Sequence, residues 1–134
     1  MINLKTAKAL KAAGLVWEPQ YGDRFIIPEI FIEGLSGLMD DRLLMSYKAS
    51  EPEDNWGEFI RVNIFLPRLD QLLGEIEKRG YEWTLWVRNK LMPNKYTIDI
   101  GKATDYGETK RIGADTPDEA AAQALLWILR EGER

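Results

Sequence analysis

Two stretches decide the fold class: Tyr81-Glu82-Trp83-Thr84-Leu85-Trp86-Val87-Arg88 and, after six residues, Lys95-Tyr96-Thr97-Ile98-Asp99-Ile100-Gly101. In both, apolar residues recur at every second position, the period of a strand with one buried face. Tyr81, Trp83, Leu85 and Val87 share one face of the first, and Tyr96, Ile98 and Ile100 share one face of the second. Pro93-Asn94 supplies turn chemistry between them, so they predict an antiparallel hairpin. Glu108–Gly113 reads as a weaker third strand.

Helical patterns flank these strands. From Pro67 to Arg79, Leu69, Leu72, Leu73 and Ile76 recur at helical spacing. Pro67 suits a first helical position, Lys78 and Arg79 complement the carboxyl end of the dipole, and Gly80 stops the helix. The last helix has the clearest start: Thr116 and Glu119 have capping-box spacing, with Pro117 at the first position. Apolar residues cover most of its circumference at Leu125–Leu129, the pattern of a helix sandwiched between layers or docked on a partner.

The N-terminal half reads similarly. Residues 3–13 predict a helix capped by Asn3 and ended by Gly14, with Leu4, Ala7 and Leu10 as its apolar stripe. Lys5, Lys8 and Lys11 form a basic stripe read as a solvated face. Strands are expected at Asp23–Ile32, where Pro28 argues for an edge or a bulge, and at Arg42–Lys48 and Glu58–Leu66. The expectation is a single α+β domain over residues 1–134, a mainly antiparallel sheet packed by three helices in the order α-βββ-α-βββ-α.

Composition narrows the chemistry. The 134 residues contain neither cysteine nor histidine, which excludes disulfides, thiol nucleophiles, Cys/His zinc sites and histidine acid-base catalysis. Lys plus Arg total 18 against 22 Asp plus Glu, so the net charge of −4 does not draw the chain to nucleic acid or anionic lipid. The charge is uneven: residues 78–111 hold eight bases and four acids, residues 115–134 five acids and two bases. The longest apolar run near the C-terminus, Ala120–Leu129, is too short to span a bilayer, and no targeting segment is evident, so a cytoplasmic protein is expected.

No constellation announces catalysis. Asp40-Asp41 and Glu51/Glu53/Asp54 are the densest acidic clusters, and neither follows an oxygen-ligand loop pattern. No phosphate-binding glycine motif occurs, and Ser36 and Ser46 have no histidine to activate them. Catalytic, cofactor and metal residues are therefore expected to be none. Five tryptophans are the more telling feature. Trp83 and Trp127 fall on core-facing positions, whereas Trp86 shares a strand face with Glu82, Thr84 and Arg88, and Trp56 lies in an acidic loop. Trp86 is either covered by a second helix layer or left as a binding anchor. The candidate partner surface comprises Trp56, Trp86, Arg88, Lys90 and Lys95.

Two resemblances extend this reading. Helix, three strands, helix over residues 67–131 resembles the double-stranded RNA-binding domain. That family grips phosphate with a basic cluster opening its last helix, but here the position reads Asp115-Thr116-Pro117-Asp118-Glu119, and the family's hairpin-loop histidine is missing. The second resemblance rests on Ala7-Lys8-Ala9-Leu10-Lys11-Ala12-Ala13-Gly14, Gly22-Asp23-Arg24-Phe25, Leu66-Pro67-Arg68-Leu69-Asp70-Gln71-Leu72-Leu73 and Ala114-Asp115-Thr116-Pro117-Asp118-Glu119-Ala120. In their order along the chain these resemble small phage- and prophage-encoded α/β sandwich proteins (ABA-type), a group without an assigned activity. The resemblance implies a phage-type accessory protein that binds a host or phage protein, without catalysis or cofactor. The alternative is a nucleic-acid-binding domain using the basic strands.

Overall fold

The computed structural model describes residues 2–27, 36–39, 56–87, 95–102 and 108–132, with backbone alone at 36–38, 56–58 and 132. The chain runs through α1 (Leu4–Ala12), β1 (Arg24–Ile26), β2 (Ser36–Leu38), α2 (Trp56–Val62), β3 (Ile64–Leu66), α3 (Leu69–Lys78), β4 (Tyr81–Val87), β5 (Tyr96–Lys102), β6 (Lys110–Ala114) and α4 (Pro117–Trp127). One wider π turn, Ile128–Gly132, continues α4. Among the described residues the strands form two antiparallel sheets of three, ordered β2-β1-β3 and β4-β5-β6.

The C-terminal half follows the sequence pattern closely. β4 pairs with β5 from Tyr81↔Lys102 to Val87↔Tyr96, and β5 with β6 from Tyr96↔Ala114 to Ile100↔Lys110. This register places Tyr81, Trp83 and Leu85 beside Ile98, Ile100 and Ile112 on one face, against which α3 and α4 pack. Ile98 and Ile100 are fully buried, each burial stabilising the fold by roughly 1.5–3 kcal/mol. Ala120, Ala121, Ala122, Ala124, Leu125 and Leu126 of α4 are buried as well. Small side chains let α4 sit closely between α1, α3 and the sheet, so its apolar circumference belongs to the core.

The caps are those the sequence specifies, with one change of partner. Asn3 Oδ1 accepts from the Thr6 N–H at 2.8 Å, and Gly14 and Gly80 take the positive φ that ends a helix. Thr116 Oγ1 accepts from the Glu119 N–H at 3.1 Å. The Glu119 carboxylate, however, accepts from the Asn3 N–H and from Thr6 Oγ1 of α1, so it ties the first helix to the last. α3 starts two residues later than expected, because the Gln71 side chain accepts from the Arg68 N–H and makes Arg68 the cap.

The N-terminal half departs from the expected α-βββ order. Residues 58–66 do not form one strand: 56–62 are helical and only Ile64–Leu66 pair with β1. Tertiary packing overrides the alternation of Ile60, Val62, Ile64 and Leu66. In a helix, Phe59 and Ile60 both pack against the cluster of Trp17, Phe25 and Met39. Of the expected Asp23–Ile32 strand, Arg24–Ile26 is seen, and a strand forms at Ser36–Leu38, between the first two expected strands. The expected strand Arg42–Lys48 lies outside the described residues, as do Pro28, Asp40-Asp41 and Glu51/Glu53/Asp54.

β1 and β3 separate two apolar clusters. Ile64 and Leu66 join the main core, while Phe25 and Phe65 face Trp17. The Trp17 ring stacks on Phe65 at 5.4 Å and tilts against Phe25 at 5.6 Å and Phe59 at 5.9 Å.

Candidate functional site

The face of β4-β5-β6 turned away from α3 and α4 presents the densest arrangement of chemically distinctive side chains among those the sequence singled out. Strand alternation puts Glu82, Thr84 and Trp86 there from β4, Thr97 and Asp99 from β5, and Arg111 from β6. Asp99 lies directly opposite both Thr84 and Arg111. Its carboxylate accepts from Arg111 Nε at 2.8 Å and from Nη2 at 3.2 Å. The Trp86 indole N–H points to the same carboxylate at 3.4 Å. The Arg111 guanidinium also sits 5.1 Å from the centre of the Trp86 ring, within cation–π range.

Trp86, Asp99 and Arg111 therefore form a clamp across three strands. The Arg111 hydrogen bond holds the Asp99 carboxyl below its ordinary pKa; partial burial opposes this and the Trp86 N–H assists it. Asp99 raises Arg111 in return, first through the hydrogen bond and then through charge. Trp86 is half-buried, and Glu82, Thr84 and Arg111 are exposed. Among the described residues the helices that pack on this sheet lie on its other face, and Trp86 meets the polar clamp with part of its side chain accessible.

The candidate residues fare unequally. Lys95 is exposed in the bend just before β5, with its Nζ 5.6 Å from the centre of the Tyr96 ring. Arg88 and Lys90 lie outside the described residues. Trp56 opens α2, the helix that leads into β3 of the other sheet. Sequence patterning had no means of selecting Asp99 and Arg111, because their partnership depends on the register of β5 against β6.

Two other constellations were not legible beforehand. Asp23 is fully buried and accepts from Trp17 Nε1 at 3.0 Å, the Gln20 N–H at 2.9 Å, Gln71 Nε2 at 2.7 Å and Arg68 Nη1 at 3.1 Å. Its lone pairs are committed to neighbouring donors, which makes it a structural hub joining the 17–23 segment to α3. Lys11, expected on a solvated face, instead donates to the carbonyls of Ile60, Arg61 and Asn63. It thereby satisfies carbonyls left over at the end of α2. Burial, and then repulsion from Arg61, lower the Lys11 pKa.

Among the described residues no group of three or more Asp or Glu side chains gathers as a metal site, and no helix is long and apolar enough to cross a membrane. No family model, curated protein or solved structure matches the chain.

Proposed function

We propose that this chain is a phage-type accessory protein that acts in the cytoplasm by binding another protein, without catalysis, and that the outer face of β4-β5-β6 around Trp86 is its docking surface. The observation that carries this reading is the Trp86–Asp99–Arg111 clamp. It holds a part-exposed indole and a guanidinium in fixed positions on a rigid sheet. Trp and Arg are the side chains that most often dominate protein interfaces, and pre-ordering them lowers the entropy lost on docking. The four stretches that resemble phage and prophage sandwich proteins supply the accessory role.

A nucleic-acid reading has one observation in its favour: α3, β4, β5, β6 and α4 follow the helix–three strands–helix order of the double-stranded RNA-binding domain. Against it stands the start of α4. Asp118 and Glu119 occupy the first turn, and Glu119 is bonded to α1, so the positive end of the helix dipole meets carboxylates where phosphate would dock.

The experiment is a tagged capture from host lysate, split into nuclease-treated and untreated halves, with wild type beside Trp86→Ala and Arg111→Ala. The reading predicts one protein retained after nuclease and lost from both variants. Recovery that vanishes with nuclease would replace it with the nucleic-acid reading. A retained protein that ignores both substitutions would move the docking surface elsewhere.

A further inference from the structure

β6 is the last strand of its sheet, and among the described residues it pairs with β5 alone. Alternate N–H and C=O groups of Lys110–Ala114 therefore point away from the sheet. No proline interrupts this edge. Beside it lies a groove of about 310 Å³ between β6 and α4, with Ile112 and the half-buried Trp127 in its walls. No described residue of α1 or α3 lines it. The edge is charged in an ordered way. Lys110 and Arg111 open the strand, Arg130 lines the same groove as Lys110, and Asp115 follows the strand's other end. Arg111 is committed to Asp99. Among the described residues no hydrogen bond or ion pair engages the side chain of Lys110, Arg130 or Asp115, and all three are exposed. Lys110 has its Nζ 6.0 Å from the centre of the Trp127 ring.

A strand with one basic end and one acidic end suits an antiparallel copy of itself, which brings each end to its opposite. Residues directly opposite each other share a face, so the two-fold axis must pass through a residue position. An axis at Ile112 pairs all five residues of β6. It sets Lys110 against Ala114, Arg111 against Gly113 and Ile112 against Ile112 of the second copy, and Asp115 of that copy follows the residue opposite Lys110. An axis at Arg111 would set two guanidinium groups face to face, and one at Gly113 would pair only part of the strand.

We propose that two copies of this chain join edge to edge along β6, antiparallel about Ile112, into one continuous sheet with their two grooves meeting at the seam. The inference rests on the strand edge and is independent of the docking surface around Trp86. The test is sedimentation equilibrium of the full chain, with circular dichroism checking that each variant folds. Wild type should show a monomer–dimer equilibrium with a Kd of about 1–100 µM, the range of a small interface. Lys110→Glu sets like charges against Asp115 at both ends of the seam, and Asp115→Lys does the same against Lys110. Each alone should weaken self-association at least about tenfold. An equimolar mixture of the two variants restores opposite charges at both ends, so it should form a mixed dimer about as tightly as wild type. Should a variant not fold, hydrogen exchange on wild type decides: amides in 110–114 should gain protection as the concentration rises through the Kd. Wild type that stays monomeric at about 500 µM would overturn the proposal. So would protection gained elsewhere than 110–114, or a mixture of folded variants no more dimeric than its components.

Discussion

Replacing Asp23 by alanine removes the acceptor for four donors at once, and its cost can be worked from the geometry. Trp17 Nε1 donates in a buried setting, so losing its partner costs about 1–3 kcal/mol. The Gln20 N–H and Gln71 Nε2 are part-buried and recover some hydration, at about 0.5–1 kcal/mol each. Arg68 has 40% of its side chain exposed and turns to water, so its share of the ion pair is discounted to about 0.5 kcal/mol. The sum is about 2.5–5.5 kcal/mol. Equilibrium unfolding in urea measures it directly. With a slope of about 1.5 kcal/mol/M, the midpoint should fall by about 1.7–3.7 M. Asp23→Asn keeps one acceptor oxygen and should lose about half as much. Asp70→Ala removes the other carboxylate on Arg68, which is 74% exposed, and should cost under about 0.5 kcal/mol. A loss below about 1 kcal/mol for Asp23→Ala would refute the hub and, with it, the account of how the 17–23 segment is fastened to α3.

Three further outcomes follow from the same structure. Leu126→Asp puts an unpaired charge into a site only 5% exposed and should unfold the monomer, seen as loss of far-ultraviolet helical signal; a folded, smaller species in sedimentation would make that face an interface instead. Gly101→Ala places a methyl carbon 2.9 Å from the Glu108 carbonyl oxygen and should cost about 1–3 kcal/mol in thermal or urea unfolding, unlike Gly74→Ala, where the added carbon meets nothing within 4 Å. On the acid side, Arg111 holds the Asp99 carboxyl below 3.8; for Glu75 burial pulls upward, but Arg79 and Lys78 together carry it below 4.5. Folded values below unfolded ones mean stability that is fully present above the ordinary carboxylate range. It is lost as pH falls through the lowered values. Urea midpoints measured between pH 6 and pH 2 should decline, and Asp99→Asn should flatten part of the decline.

The C-terminal half was readable because its signals are local and agree with one another. Alternation in Tyr81–Val87 and Tyr96–Ile100 and the Thr116 cap point to the same hairpin and helix, while the turn signal at Pro93-Asn94 lies outside the described residues. The N-terminal half was less readable because its signals conflict. Ile60, Val62, Ile64 and Leu66 alternate like a strand, yet contacts of Phe59 and Ile60 with Trp17 and the Lys11 bonds to three carbonyls hold 56–62 helical. Those contacts join residues about fifty positions apart, so no local window contains them. Trp86 was selected from its position among polar neighbours, and that much of the site was legible. Its partners Asp99 and Arg111 follow only from register, and Glu119 changed role because α1 packs against the start of α4.

The most direct test of the docking surface is site-specific photo-crosslinking. A photoreactive phenylalanine replaces Thr84, which is exposed beside the clamp, and separately replaces Glu77, which is exposed on α3. Irradiation in nuclease-treated host lysate should give one discrete protein adduct from position 84 and none from 77, and Trp86→Ala should abolish it. Equal adducts from both positions, or an adduct from 84 that survives Trp86→Ala, would contradict the assignment of this face as the binding surface.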